Sequence, residues 1–460
     1  MPGAELRHDS ADRRGMALNA ILGVAAEAVN AAAEVMLLPS LILAFFAAEL
    51  TPSYATIGLA PAIATSFWTL ARLPALLITG SRRRQQAWAF AAALVRAAAV
   101  AVLAVVASRT DPAGLAQSAR PLIGTFFLCL VVYALAGGFG SVPSAALLRS
   151  AVAGDSWSLF SRRRSVWSAI LCALAALIAA RLLGANALPF PGSYGRLFLV
   201  ATVCLIAVAV FTAAMREPLT VAPALSAPGL SPRALRQTFF DSRYRRFLLF
   251  RVLLSSTAAI DPFLFLYAVT RLGAPMTAIG GYVLAGVLGW ILSSPVWIWL
   301  ARRSGARAVL QGAAVVRLIA PAIALVLPPL AATQMVRDRF PDGSALSTLY
   351  GVAFFAIGAT LAAQSKGGYD YLAALAPRSL LATYAGMTNA LLAVVAFAPV
   401  LGGALIQRAG YEGFFGAIVA LGLAAVFASG ALPEIPMPAR FQSEPGLLET
   451  GPRALLASRL

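Results

Sequence analysis

The sequence predicts an all-helical, polytopic membrane protein of about twelve transmembrane helices, arranged as two pseudo-symmetric six-helix bundles with both termini cytoplasmic. Three observations carry this expectation. Of the 460 residues, 60% are hydrophobic and 12% charged, with a mean hydropathy of +0.82, an apolar content well above that of soluble domains. The apolar residues fall in runs long enough to cross a bilayer, which takes ~20 residues at 1.5 Å each. Several residues of the first half recur in the second at a nearly constant offset.

The elements follow from where the apolar runs stop. Arg13 and Arg14 precede the first, over 20–47, and Pro52 separates it from the second, 55–79, which ends at Arg82, Arg83 and Arg84. The third, 86–107, stops before Arg109; the fourth, 121–145, lies between Arg120 and Arg149. Arg162, Arg163 and Arg164 open the fifth, 165–184, and the sixth, 195–214, ends before Arg216. The segment 216–246 is rich in Pro, Ser and Leu and too polar to span, so it reads as a linker with a short amphipathic stretch over 235–240 on the membrane surface. The second half repeats the scheme over 247–270, 277–300, 308–330, 345–366, 381–406 and 412–431. The expected domains are a cytoplasmic segment 1–15, bundles over 16–214 and 247–431, a cytoplasmic linker 215–246 and a cytoplasmic tail 432–460. The first apolar run is longer than the core of a signal peptide, so its retention is expected.

Orientation follows from the positive-inside rule. With the N-terminus inside, the inner connections hold about three times as many Arg and Lys residues as the outer ones. Trp88, Trp157, Trp167, Trp297 and Trp299 lie beside the inner arginine clusters and read as interfacial anchors. Lys366 is the single lysine among 36 basic residues. That bias fits GC-rich codons, and with it a bacterial inner membrane as the expected location.

Composition also excludes chemistry. His8 is the only histidine and lies in the polar N-terminal stretch, which leaves none for a buried triad or a metal cage. Cys129, Cys172 and Cys204 lie inside apolar runs and read as small hydrophobes. Neither a cofactor nor a metal is expected. The net charge of +18 is dispersed between spans, so it reads as membrane topology and not as a nucleic-acid surface. No GxxxxGK[ST] loop is present, which excludes ATP drive within this chain. The inner loops lack the carboxylates or histidines that a membrane-embedded transferase needs.

The repeat is specific. Pro74 and Pro295, Arg82 and Arg303, and Arg96 and Arg317 each stand 221 residues apart; ATIGL at 55–59 and TAIGG at 277–281, with Leu50 and Leu272, stand 222 apart. Two six-span halves in parallel duplication place a binding site near the midplane between them. With ITGSRRRQQAW between spans two and three, SSPVWIWLARRSGARAVL between spans eight and nine, and LAPR, YAGMTN and APVLGG in order from Leu375 to Gly403, nearly the whole chain resembles the major facilitator superfamily. That resemblance implies alternating access, a cavity lined by spans one, four, seven and ten, and spans three and nine on the outside of the bundle. The superfamily's cytoplasmic gate motif, G-x-x-x-D-R-x-G-R-R, is matched by Arg303, Gly305 and Arg307, and by Arg82 in the first copy. Arg302 and Ser81 stand where its acid belongs. The exporter arginine of span four and the antiporter Gly-Pro pair of span five are absent.

Ionisable groups inside a bilayer are costly and mark pairs or water-filled paths. Glu27, Asn30 and Glu34 are spaced to share one face of span one. Glu34 lies about twelve residues, roughly 18 Å, from the outer end, which makes it the expected proton-coupling group. Asp261, ahead of Pro262 in span seven, is its counterpart. Depth matches Arg96 with Glu34 and Arg72 with Glu27, while the duplication of Arg96 and Arg317 points to a structural role in each half. Lys366 and Asp370 are spaced as an i to i+4 pair.

A cavity holding Glu27, Glu34 and Asp261, with aromatic surface from Phe45, Phe46, Trp68, Phe263 and Phe265, would favour cationic or amphipathic solutes. An inward-pointing arginine would select anions instead. The expected function is thus a proton-coupled secondary active transporter of a small-molecule substrate, acting as a monomer in the lipid bilayer, with efflux as one direction. The alternatives are a transporter-fold protein that senses or assembles and, less favoured, a polytopic transferase.

Overall fold

The computed structural model describes residues 2–79, 84–152, 157–184, 187–217, 232–331, 333–334, 344–377 and 379–435. Every regular element among them is helical, as expected where hydrocarbon leaves backbone N–H and C=O groups no water to bond. The first half comprises α1 (Pro2–Met36), α2 (Ala44–Leu50), α3 (Tyr54–Thr79), α4 (Gln85–Arg109), α5 (Leu115–Ala151), α6 (Trp157–Leu182) and α7 (Gly192–Ala214). A short α8 (Pro232–Phe240) follows, then α9 (Ser242–Ser256), α10 (Asp261–Leu272), α11 (Ile279–Arg317) and α12 (Ile319–Ala331). The last three are α13 (Ser344–Leu375), α14 (Leu381–Val395) and α15 (Ala398–Gly430).

By length and composition, ten helical runs among the described residues can cross a membrane, the architecture of a multi-pass membrane protein. Two of them, Met276–Leu330 and Leu381–Gly430, hold 55 and 50 residues, or ~75–80 Å if straight, more than twice the hydrocarbon thickness. Both are broken by a glycine: φ is 81° at Gly305 and 72° at Gly410, a left-handed backbone that other residues adopt only with strain.

The spans that open each half are also interrupted. After Met36 the chain turns at Leu38 (ψ 112°), and Pro39 begins a π-helical turn, Pro39–Leu43, before α2. In the second half a 3₁₀ turn, Thr257–Ile260, separates α9 from α10, and Pro262, without an N–H, sits in the first turn of α10. Several helices outrun the apolar windows: α13 continues to Leu375 and α6 begins at Trp157, ahead of the Arg162–Arg164 cluster. Hydropathy marks only the hydrocarbon core, whereas a helix continues into the interface where long side chains reach water.

Within the first half α3 and α7 pack on the flanks of α4 and α5, and α6 and α7 on α1; in the second half α11 packs along α13. The halves meet through α3 against α14 and α15, α6 against α11, and α2 against α10. Two repeat mates make equivalent contacts there. Gly58 lies on the backbone of Pro399 and Gly280 on that of Ala180, each too close to admit a Cβ. Phe45 meets Phe265 edge-on at 4.5 Å between ring centres, and Tyr54 meets Phe263 at 6.2 Å and Tyr411 at 5.8 Å. One apolar core extends from Ala31 to Leu432 through both halves. Leu401 and Phe427 are 73% and 79% exposed on the outside, where lipid replaces water.

Two surface expectations resolve differently. The amphipathic stretch of the linker forms α8, with Phe239 and Phe240 exposed. Asp241 after it caps α9 by accepting from the Arg243 and Tyr244 backbone N–H groups and also accepts from Tyr384 Oη at 2.8 Å. Trp297 is no interfacial anchor: it is buried, and its indole N–H donates to the Ala359 carbonyl at 2.9 Å. Its distance from the arginine cluster along the sequence hid the fact that it faces α13, while Trp167 and Trp299 are more than half exposed.

Candidate functional site

Glu27, Asn30 and Glu34 lie on α1 at helical spacing and are all buried. Asn30 Nδ2 donates to Glu34 Oε1 at 2.8 Å, and Arg96 Nη1 from α4 donates to Asn30 Oδ1 at 2.8 Å. Arg96 Nη2 stands 3.7 Å from Glu34 Oε1 and donates to Tyr133 Oη of α5 at 3.1 Å. The Arg96 guanidinium also lies over two aromatic faces, 5.1 Å from the Trp68 ring centre and 4.9 Å from that of Tyr133. Trp68 is held in turn by Gly137, which leaves room for its ring, and Gly138, which leaves room for its backbone. Four helices of the first half thus enclose one buried acid and one buried guanidinium, and the amide of Asn30 is shared between them.

The second half repeats the pair at its own interrupted span. Asp261, the first residue of α10, accepts from Arg317 Nη2 in a tight buried ion pair. Arg317 Nε donates to Thr257 Oγ1 at 3.0 Å, and Nη2 donates to the Thr257 carbonyl at 2.9 Å. The 3₁₀ turn opens that carbonyl to a side chain instead of an N–H four residues on. Arg317 therefore clamps both the acid and the backbone at the break.

The two clusters differ in what they face. A cavity of about 30 Å³ lies between the halves, lined by Thr65 of α3 and by Ser255, Asp261, Arg317, Gln364 and Pro399, among others, of the second half. Asp261 and Arg317 border it, whereas Glu34 and Asn30 do not. A second space of about 20 Å³, lined by Asn30, Trp68, Arg96, Gly137 and Ser144, is internal to the first half. The carboxylates expected to share one cavity are thus separated, Glu34 drawn into its own bundle by Arg96 and Asp261 left at the interface beside Arg317. Of the aromatics expected there, Phe45, Phe263 and Phe265 are spent on contacts between the halves, Trp68 on Arg96, and Phe46 on the ring cluster of Phe126, Phe190 and Phe198.

Glu27 is buried and Arg72 half-buried on α3. Of the gate-motif residues, Arg82 falls outside the described residues. Arg303 is exposed and lies over the Trp299 ring at 5.5 Å. Gly305 makes the turn between the two stretches of α11. Arg307 donates to Glu434 Oε1 at 2.6 Å and to the Gly430 carbonyl at 3.0 Å, so an acid after the last helix pairs with the motif's arginine. Lys366 donates to the Ser294 carbonyl at 3.4 Å, and Asp370 is buried.

Sequence reasoning passed over Arg251, which is 1% exposed on α9 and donates to Gln364 Oε1 of α13 at 3.2 Å. Its place inside an apolar run was a usable signal. Gln364, Thr257 and Tyr133 carried none, because uncharged polar residues are frequent in membrane helices.

No protein-family profile and no curated protein sequence matches the chain. Solved structures do. A mutant of the nucleoside transporter NupG superposes with a TM-score of 0.65 at 13% identity over 91% of this chain and 100% of that one. A bacterial metal transporter gives 0.55 at 14% identity over 91% and 98%. A bacterial homologue of the iron transporter ferroportin, in an outward-facing state with soaked iron, gives 0.51 at 12% over 91% and 98%. At these identities the likeness establishes the fold alone: this chain shares the fold of these transporters.

Proposed function

We propose that the protein is a secondary active transporter that moves a small solute by alternating access, coupled to protons, in a bacterial inner membrane. The carrying observation is a buried acid paired with an arginine in each half, Glu34 with Arg96 and Asp261 with Arg317, the acid lying just before the break of the first span and just after that of the seventh. A fold that needed only stability would be served as well by apolar residues there, since a buried ion pair adds little net stability. Acids at interrupted helices near the midplane are groups whose protonation and pairing can change as the halves move.

On this reading the breaks at Gly305 and Gly410 divide ten helical runs into twelve crossings, and both termini lie in the cytoplasm. The contacts of Phe45 with Phe265, Tyr54 with Tyr411, and Gly58 with Pro399 then form a closed outer gate. Rocking about the midplane would part these contacts and open the cavity at Asp261 to the outside. Glu34 serves as the proton-coupling group of the first half. Its load and release are transmitted through Asn30 and Arg96, because neutralising the acid loosens the arginine's hold on α1.

Reconstituted vesicles with an imposed pH gradient test the reading. Glu34→Gln keeps the hydrogen bond from Asn30 and removes the titratable group, so gradient-driven accumulation should be lost while solute exchange persists. Accumulation by the variant at the wild-type level would sink the assignment.

A further inference from the structure

We propose that the cavity between the halves is a binding site for a small monocarboxylate, held by Arg317 and loaded together with one proton. The inference rests on the transport reading and assigns it a substrate class. It starts from unused hydrogen-bond donors. Arg317 is 3% exposed and spends Nε and Nη2 on Thr257 and Asp261, while Nη1 has no partner among the described residues. Ser255 Oγ is buried and likewise has none among them. Gln364 accepts from Arg251 at its amide oxygen, so its amide nitrogen remains a donor. All three side chains line the same cavity.

Three donors around one space call for an acceptor, and a guanidinium among them favours an anionic one, since charge-assisted bonds to carboxylates are the strong ones. Apart from Asp261 and Thr65, the rest of the wall, with Leu361, Leu392, Val395 and Ala396, is apolar, which suits a short hydrocarbon or keto group behind the carboxylate. A volume of about 30 Å³ holds on the order of one water, so the solute enters only as the halves part.

Charge sets the stoichiometry. Of the described residues lining the cavity only Asp261 and Arg317 ionise; α3, α13, α14 and α15 contribute Thr65, Leu361, Gln364 and apolar groups. The two charges that line the empty cavity cancel, and Arg251 stands one side chain behind the wall with its guanidinium on Gln364. A bound carboxylate adds a second negative charge beside one guanidinium in a low dielectric, and a buried charge left uncompensated there is costly. Asp261 takes up a proton from the aqueous side, and both proton and anion leave on the other side. The cation-selective cavity expected from three carboxylates is thereby replaced by an anion site that borrows a proton.

The test uses the full-length protein purified in detergent, with pyruvate as probe because its carboxyl stays ionised over the working range, and tetramethylammonium and glucose beside it. Pyruvate alone should raise the melting temperature, and its apparent affinity should rise by up to about tenfold per unit fall in pH. Asp261→Asn should bind pyruvate with that pH dependence flattened. The double variant Asp261→Asn with Arg317→Gln removes both charges together, so it should fold and no longer bind. If it does not fold, Ser255→Ala should weaken pyruvate binding about tenfold, the loss of one bond to a charged group. Stabilisation by tetramethylammonium in place of pyruvate, or undiminished pyruvate binding by the folded double variant or by Ser255→Ala, overturns the proposal. Pyruvate that binds but is never carried into vesicles overturns the transport reading instead, while gradient-driven carriage of a cation without pyruvate binding overturns only the site.

Discussion

Arg96 and Arg317 stand 221 residues apart, and each meets an acid of the span that opens its half. Their partners are not at the same offset, since Glu34 belongs to α1 proper and Asp261 begins the helix after the break. The arginines are therefore the duplicated element and the acids a variation on it. Removing one member of such a pair strands a buried charge. Arg96→Met should cost about 3–5 kcal/mol, read as a lower melting temperature, and Glu34→Gln with Arg96→Met should recover most of that loss. A double variant no more stable than the single one would show that Arg96 acts through Trp68 and Tyr133 instead. At this scale the sequence was legible where charge made it so: intramembrane Glu34, Asp261, Arg96 and Arg317 are conspicuous, and depth along the helix paired Glu34 with Arg96. Which way the pairs face was not legible, because helical spacing assigns residues to a face but does not say which neighbour covers it. Arg96 on a span expected at the outside of the bundle turns Glu34 inward to its own half, and that needed the packing of Trp68 on Gly137 and Gly138.

Helices, at the next scale, were placed well along the chain and read poorly at their ends: about twelve spans were expected, and ten helical runs among the described residues can cross a membrane. Apolar runs mark the bilayer's thickness, so every expected span coincides with a helix, while α13 and α5 overrun theirs where polar ends are solvated. Interruptions were only partly legible: Pro39 and Pro262 announce the breaks in the first and seventh spans, but the π turn after Leu38 and the 3₁₀ turn before Asp261 follow from local packing. Gly305 and Gly410 carry the left-handed kinks, and Gly305→Ala should cost ~1–2 kcal/mol for the left-handed conformation, measured as a drop in melting temperature. Gly58 and Gly280 do a different task, bringing backbones of opposite halves together. Gly58→Leu and Gly280→Leu should each wedge these touching ends apart without unfolding either half. Cysteine labelling from outside should then speed up at Thr65→Cys, a residue of the cavity wall; an unchanged labelling rate would mean that this face does not gate access.

For the whole molecule, duplication explains why one rule recurs in both halves, and the continuous core from Ala31 to Leu432 explains why they behave as one body in this state. The internal repeat was legible in sequence at Gly58 and Gly280 as well as at the arginines, yet nothing in sequence gave the state, because which ends of the halves touch depends on small differences between two packings. Here the touching ends are those of Phe45 with Phe265 and Gly58 with Pro399. Alternating access requires that this contact and its counterpart at the other end open in turn. Electron-spin distances measure both in vesicles, on protein with Cys129, Cys172 and Cys204 replaced by serine: one label pair at Leu50 and Arg271 on the touching ends, another at Arg84 and Arg302 on the opposite ends. The account predicts two populations for each pair, with the Leu50–Arg271 distance lengthening as the Arg84–Arg302 distance shortens, and with the balance shifted by Glu34→Gln. A single distance for both pairs, unmoved by pH gradient or by Glu34→Gln, would contradict it.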